Sequence, residues 1–199
     1  MTPIVTQTYE VPPVDRREIL RYAGVSGQIP EVEQLMQSCL DEVQGKLCYR
    51  VCYGEFALFL DGKSVDFGFM KADSCSLQSR LLGCDRAVVF AATVGIEIDR
   101  LITKYGKVEP SRALMLQAVG TERVEALCDA FCHDLACRVQ VEGRTTRPRF
   151  SPGYGDLSLQ LQRDVLGVLQ ASTRIGLTLS DHFLMSPSKS VTAIVGIGK

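Results

Sequence analysis

The apolar positions in the first part of the chain recur at a helical period. Asp15 precedes a mixed segment at 16–23 that ends at Gly24, and this pattern predicts a short capped helix. Pro30 opens a second predicted helix that ends at Gly45. Its apolar residues follow every three or four positions: Val32, Leu35, Met36, Cys39, Leu40 and Val43.

The pattern then changes to the alternation and runs that are typical of strands. Residues 47–60 are rich in Tyr, Val, Phe and Leu and predict a strand, and Asp61-Gly62 predicts a tight hairpin turn. The returning strand is predicted at 63–70 and a short helix at 74–82. Residues 86–93 form a nearly continuous apolar run, which predicts a strand in the centre of the sheet.

Helical periodicity returns in the second half of the chain. A helix is predicted at 96–105, and the longest helix begins at Pro110 and reaches about Val139. Gly120 lies inside it and indicates either a close helix crossing or a break into two helices.

One more helix and a final strand complete the pattern. Asp156 or Ser158 is the predicted cap of the helix. We expect its inward residues to be Leu161, Val165, Val168 and Leu169, and its end to be Gly176. Residues 190–197 predict the last strand.

Strands and helices do not alternate strictly in this order. The order therefore predicts an α+β fold, with a curved antiparallel or mixed sheet backed by helices. We expect a single domain over residues 1–199, in which 1–28 form an N-terminal extension and short helix packed on the rest.

The net charge of −1 gives no general attraction for nucleic acid. No run of about 18 apolar residues exists to span a membrane, and the N-terminus lacks the pattern of a secretion signal. We expect a cytoplasmic protein with neither nucleic acid nor membrane among its partners.

The chain has eight cysteines but no Cys-x-x-Cys pair. Cys128, Cys132 and Cys137 lie on the long predicted helix with His133 between them, which would suit a metal or redox site. The step from Cys132 to Cys137 does not keep one helical face, however. Buried, reduced cysteines that act as small hydrophobic residues are the better interpretation, and we predict no metal.

Several common kinds of active site are missing from the sequence. Residues 91–95 follow a strand and precede a helix, but they lack the Gly-x-Gly-x-x-Gly of a Rossmann site. No nucleophile elbow, zinc-protease motif or paired-carboxylate spacing occurs, so we predict neither a hydrolase nor a Rossmann methyltransferase, and no catalytic residues.

Two irregular runs carry the candidate chemistry. The first, at 147–157, reads Arg-Pro-Arg-Phe-Ser-Pro-Gly-Tyr-Gly-Asp-Leu, and the second, at 184–191, reads Leu-Met-Ser-Pro-Ser-Lys-Ser-Val. An Arg followed by a rigid Ser-Pro-Gly-Tyr turn suits a small zwitterionic ligand, since a guanidinium binds a carboxylate in a fork. Taken alone, Arg149 could equally be a solvated Arg of a basic loop.

In this order and spacing, the two runs resemble the activation domain of cobalamin-dependent methionine synthase, over about residues 124–195. The resemblance implies that Arg149 binds the carboxylate of S-adenosylmethionine. It implies contacts from main-chain groups of Ser151, Gly153 and Tyr154, and a place for Asp129 near the ligand's amino group. It also places Lys189 near the cobalamin-facing edge, although a solvated Lys is the simpler interpretation.

The resemblance also implies a function. The chain would be a stand-alone reactivation subunit of a methyltransferase system, with S-adenosylmethionine and the partner's cobalamin as cofactors. It would support reductive methylation of cob(II)alamin to methylcobalamin. The partners would be a cobalamin-binding methionine synthase without its own activation domain and a flavodoxin-like or other electron donor, which the Arg residues at 138–149 could help to dock.

Two other interpretations remain open at the sequence level. The chain could be a non-catalytic S-adenosylmethionine-binding or docking module for another corrinoid protein, or a scaffold that has lost the ligand. A methionine synthase in the same genome that ends after its cobalamin domain would favour the reactivation subunit.

Overall fold

The computed structural model describes residues 2–27 and 29–199. The helices are α1 (Arg16–Tyr22), α2 (Pro30–Val43), α3 (Cys75–Arg80), α4 (Glu97–Tyr105), α5 (Pro110–Val141), α6 (Leu161–Val168) and α7 (Ala171–Ile175). The strands are β1 (Val5–Thr8), β2 (Arg50–Ala57), β3 (Phe59–Asp61), β4 (Ser64–Asp66), β5 (Lys71–Asp73), β6 (Cys84–Thr93), β7 (Thr145–Thr146), β8 (Thr178–Leu179), β9 (Met185–Ser186) and β10 (Ser190–Gly198).

The main sheet has five strands in the order β1-β2-β6-β10-β7, and every neighbouring pair is antiparallel. A three-stranded sheet, β3-β4-β5, and a two-stranded sheet, β8-β9, accompany it. The prediction of an α+β fold with a curled antiparallel sheet and helices is therefore confirmed, and β6 is the central strand as expected.

The main sheet separates two apolar cores, and the residues of β6 alternate between them. Val88 and Phe90 belong to the core beneath α1, α2, α4 and α5, whereas Ala87 and Val89 belong to the core beneath α3, α6 and α7. Burial on both faces explains why this antiparallel strand has the continuous apolar sequence that is more familiar in parallel sheets.

The hairpin prediction is correct at its turn and too long in its strands. Asp61 pairs with Ser64 across Gly62, whose φ is +55°, as a two-residue turn requires. The returning chain forms two short strands instead of one long strand. An Asp66 carboxylate oxygen accepts from Gly68 N–H at 2.7 Å and makes a turn between β4 and β5.

The long helix α5 continues through Gly120 without a break, so the close-crossing interpretation is the right one. A Cβ at this position would lie 2.8 Å from Cγ1 of Ile98 and 2.9 Å from Cγ of Lys189. Only glycine lets α4 and the residue just before β10 approach α5 this closely. At 32 residues, α5 is about 48 Å long and contacts α1, α2, α4, β6, β7 and β10.

A buried ion pair on α5 fixes the N-terminal segment. The Arg123 guanidinium donates to the carboxylate of Glu122 and to the carbonyl oxygens of Pro12 (2.6 Å) and Pro13 (2.7 Å). The same carboxylate accepts from Asp15 N–H at 2.9 Å. Asp15 in turn caps α1, as predicted, by accepting from the N–H groups of Arg17 and Glu18.

In the described part of the chain, no helix combines the length and the apolar character that crossing a membrane needs.

Gly120 gives a prediction with a built-in control. Gly120→Ala should lower the free energy of unfolding by about 1 kcal/mol, because overpacking outweighs the gain in helix propensity. Gly167→Ala, on the open face of α6, should raise it by about 0.5–1 kcal/mol, since a Cβ there meets no atom within 4 Å. Urea unfolding of both variants shows whether each substitution raises or lowers the free energy of unfolding. Stabilisation by both substitutions would show that α5 does not need glycine at 120.

Candidate functional site

The run at 151–154 forms the rigid turn that its sequence predicts. Tyr154 N–H donates to Ser151 C=O at 3.2 Å across Pro152 and Gly153, and Gly153 has φ +93°. Proline followed by a glycine of positive φ is the residue pattern of a type II turn. Gly153 N–H donates to Leu157 C=O at 2.9 Å, so the N–H groups of Gly153 and Tyr154 are both already bonded within this segment.

Asp156 holds the far side of the turn, although not by capping α6 as the sequence suggested. Its carboxylate accepts from the Ser74 hydroxyl, from Cys75 N–H at 2.7 Å and from Ser76 N–H at 3.1 Å. It therefore caps α3, which lies 80 residues earlier in the chain. Ser158 Oγ only accepts from Gln160 N–H at 3.3 Å, and α6 begins without a side-chain cap.

Phe150 attaches the near side of the turn to the main sheet. Its N–H donates to Ile194 C=O at 2.9 Å and its C=O accepts from Ile194 N–H at 2.8 Å. This single bridge lies on the outer edge of β10, beyond the two residues that pair with β7. The chain turns away at Ser151, and among the described residues no strand pairs with the outer edge of β10 at Thr192.

Arg149 is joined to α5 by two ion pairs. Nη1 lies 2.5 Å from a carboxylate oxygen of Asp129, and Nη2 lies 2.6 Å from a carboxylate oxygen of Glu125. Burial opposes the charge of the guanidinium, but the neighbouring Cys128 thiol and the carboxylates of Asp129 and Glu125 outweigh it and raise the pKa of Arg149 above its ordinary value. The side chain is 26 % exposed, so it reaches both the protein and the solvent.

The guanidinium has hydrogen-bonding capacity beyond these two contacts. An Arg side chain carries five N–H donors, and the ion pairs with Glu125 and Asp129 are each made through one nitrogen. The three side chains together have a formal charge of −1. This arrangement suits a ligand that carries a carboxylate for Arg149 and positive charge for the two carboxylates.

A cavity of about 430 Å³ opens beside the Ser-Pro-Gly-Tyr turn. Both irregular runs line it, with residues 149–152 and Tyr154 on one side and Met185, Ser190, Val191 and the following Thr192 on the other. The remaining lining residues are Arg80, Glu125 and Gln162. This volume is within the range of small-molecule sites, about 300–1,000 Å³. The structure thus brings together two segments that are separated by about thirty residues in the sequence.

The predicted site residues are not all in this cavity. Arg149, Ser151 and Tyr154 line it, and Gly153 shapes the turn beneath it. Asp129 instead lines two neighbouring cavities, of about 570 and 520 Å³, which share Arg149 as a wall. Its side chain is 74 % exposed.

Glu125, which the sequence analysis missed, is the carboxylate that faces the candidate cavity. It lies four residues before Asp129 on the same face of α5. That spacing is the signal that could have found it.

Other candidate residues have structural contacts. Lys189 is half-buried beside Gly120 and donates to the Thr121 hydroxyl at 3.0 Å, so it is not the solvated Lys expected. In the Arg cluster, Arg144 pairs with Asp85, and Arg138 donates to the Tyr53 hydroxyl at 2.6 Å. These contacts leave less free positive charge than the sequence suggests.

The cysteines divide by exposure. Four are buried: Cys39, Cys52, Cys84 and Cys128. Burial raises the pKa of Cys39 and of Cys52 to about 11, which keeps both thiols neutral. Cys48, Cys75 and Cys137 are exposed, contrary to the expectation of burial. Within residues 2–27 and 29–199, no cluster of His, Cys, Asp and Glu is arranged to hold a metal ion.

The contacts of Asp156 predict a pH dependence of stability. The hydrogen bond from Ser74, followed by those from the N–H groups of Ser76 and Cys75, holds the pKa of Asp156 well below its ordinary value. The unfolded carboxyl, with a pKa of about 3.9, takes up its proton at higher pH than the folded one. The stabilisation is therefore present above about pH 4 and is lost as the pH falls below that value.

We expect Asp156→Asn to lower the free energy of unfolding at pH 7, and the difference from wild type to narrow at pH 3. Urea unfolding at both pH values measures this difference. Asp181→Asn, which changes an exposed aspartate away from the turn, is the control and should show no comparable narrowing. The prediction would be contradicted if the difference in free energy of unfolding between Asp156→Asn and wild type were the same at pH 7 and at pH 3.

No family model and no curated protein sequence matches the chain. Among solved structures, it is similar to the crystal structure of the MetH reactivation domain bound to AdoHcy, with a TM-score of 0.74 and 15 % sequence identity. The match covers 98 % of this chain and 78 % of that chain. The likeness shows that this chain has the fold of that reactivation domain.

Proposed function

We propose that this protein binds S-adenosylmethionine at the Arg149 cavity and serves as the reactivation unit of a cobalamin-dependent methionine synthase. The observation that carries the proposal is the convergence of the two irregular runs on one cavity, with Arg149 and Glu125 at one end. The neighbour of the same fold binds AdoHcy, the product that S-adenosylmethionine leaves after losing its methyl group.

The charges of the site fit the charges of this ligand. S-adenosylmethionine has a carboxylate, an ammonium group and a sulfonium, and so a net charge of +1. Arg149 would bind the carboxylate, while Glu125 and Asp129 would stabilise the positive groups. The exposed Tyr154 offers an aromatic face at the mouth of the cavity.

The role of this chain in catalysis would be binding and orientation. The ligand supplies the methyl group, and the corrinoid of the partner protein, after reduction by an electron donor, supplies the acceptor. The chain's own residues would hold the sulfonium at an open cavity so that its methyl group faces the partner. Such a role needs no general base.

The first test is isothermal titration with S-adenosylmethionine. Arg149→Ala should weaken binding by about 1.5–3 kcal/mol, because it removes a charged hydrogen-bonding partner. The matched control is Arg144→Ala, since Arg144 is also partly exposed and ion-paired, with Asp85, but lies outside the cavity. Equal dissociation constants for wild type and Arg149→Ala would remove Arg149 from the site.

The second test uses the sulfonium charge. Wild type should bind S-adenosylmethionine more tightly than S-adenosylhomocysteine, and Glu125→Gln should reduce that preference by a factor of about two to five. Glu97→Gln is the control, because Glu97 is ion-paired with Arg100 outside the cavity. An unchanged preference in Glu125→Gln would show that Glu125 does not interact with the sulfonium.

Reconstitution separates the reactivation role from simple binding. A methionine synthase fragment that ends after its cobalamin domain would be mixed with this protein, S-adenosylmethionine and a reductant. Methyl transfer that requires this protein and is lost in Arg149→Ala supports the reactivation unit. Binding of S-adenosylmethionine without transfer would favour a docking role for another corrinoid protein.

A further inference from the structure

The candidate cavity has two chemically different ends. It lies at the outer edge of β10, and α5 and α6 pack on opposite faces of the sheet. On the side of α5 it is lined by the ion pair of Arg149 and Glu125. On the side of α6 it is lined by the uncharged side chains of Gln162 and Thr192 and by Arg80 of α3, whose guanidinium lies over the Phe150 ring.

Gln162 and Thr192 are buried polar residues whose oxygen atoms lack partners. They are 7 % and 2 % exposed, respectively. Oε1 of Gln162 and Oγ1 of Thr192 are buried and have no hydrogen-bond partner among the described residues. Such an atom costs about 1–3 kcal/mol unless it gains a partner. Both atoms are enclosed by protein, so a ligand in the cavity supplies the missing bonds only when these side chains turn toward it.

Both residues can present hydrogen-bonding groups to the cavity with small movements. A half-turn of the Gln162 amide exchanges its oxygen and its nitrogen, and the terminal torsion of glutamine is broad. The Thr192 hydroxyl both donates and accepts. These groups suit an uncharged partner that offers hydrogen-bond donors.

The main chain of Thr192 adds a further pair of groups. Ile194 exchanges both of its main-chain hydrogen bonds with Phe150 at the outer edge of β10. Residues two apart on a strand direct their main-chain groups to the same edge. The N–H and C=O of Thr192 therefore face the same outer edge, where no described strand pairs with them.

We propose that Gln162 and Thr192 bind the nucleoside part of the ligand through uncharged hydrogen bonds, which rests on the proposed function. The N–H groups of Gly153 and Tyr154 are bonded inside their own segment, so the turn itself has few donors left for a nucleoside. The ligand groups that Gln162 and Thr192 would bind are the exocyclic amine of the purine or a hydroxyl of the ribose.

The test combines binding and stability. Gln162→Leu and Thr192→Val keep the approximate volume and remove the polar atoms. Each should weaken the binding of S-adenosylhomocysteine about threefold to tenfold in isothermal titration. Thr192→Val should also leave the melting temperature of the ligand-free protein unchanged or raise it, because an unsatisfied hydroxyl is removed. A purely structural role would instead lower stability.

Ser64→Ala is the control, since Ser64 has the same kind of buried, partnerless hydroxyl but lies on β4 outside the cavity. It should leave the dissociation constant unchanged. Weaker binding in Ser64→Ala equal to that in Thr192→Val would overturn the assignment, because the effect would then not be local to the cavity.

Two analogues identify the ligand group. S-inosylhomocysteine replaces the purine amine with a carbonyl, and a dideoxyribose analogue removes the ribose hydroxyls. Wild type should bind one of them more weakly than S-adenosylhomocysteine, and Gln162→Leu or Thr192→Val should abolish that difference. Differences that persist fully in both variants would overturn the proposal.

Titration of Arg149→Ala in the same experiment distinguishes failure of the nucleoside assignment from failure of the proposed function. Loss of binding in Arg149→Ala with normal binding in Gln162→Leu and Thr192→Val would overturn only the nucleoside assignment. Absence of binding by the wild-type protein would overturn the proposed function and this inference together.

Discussion

The ion pairs between Arg149 and the two carboxylates of α5 are the contacts on which the candidate site depends. They join the irregular segment at 147–157 to the longest helix, while Asp156 joins the other end of that segment to α3. The segment has almost no regular secondary structure of its own. Its conformation therefore comes from these long-range polar contacts, from the Phe150 bridge to β10 and from the internal Ser151–Tyr154 turn.

These contacts contribute more to geometry than to stability. Partly exposed ion pairs stabilise a fold by about 0–1 kcal/mol, whereas the two apolar cores provide most of the free energy of folding. The ion pairs place one guanidinium at the junction of three cavities and leave some of its N–H groups free. The separate buried pair of Glu122 and Arg123 fixes the N-terminal segment that lines the cavity of about 570 Å³.

Fold and site support the proposed function in different ways. Similarity at 15 % identity shows only that the chain folds as the reactivation domain does. The functional argument comes from the cavity, where Arg149 and Glu125 offer charge complementarity at one end and Gln162 and Thr192 offer unsatisfied uncharged groups at the other. A zwitterionic amino acid joined to a nucleoside has matching chemistry at its two ends.

Features that depend on local periodicity and turn chemistry could be predicted from the amino-acid sequence. Six of the helices, the central strand, the Asp61-Gly62 hairpin and the Ser-Pro-Gly-Tyr turn follow from residues close in sequence. The single helix predicted up to Gly176 was wrong, because Gln170 adopts a left-handed conformation (φ +52°) that separates α6 from α7. Only the folded structure shows that Asp156 caps α3, that Gly120 is a helix crossing, that Glu125 faces the cavity and that Gln162 and Thr192 line the same cavity. Each of these features depends on contacts between residues that are distant in the chain. The local sequence pattern does not show which distant groups a side chain will contact.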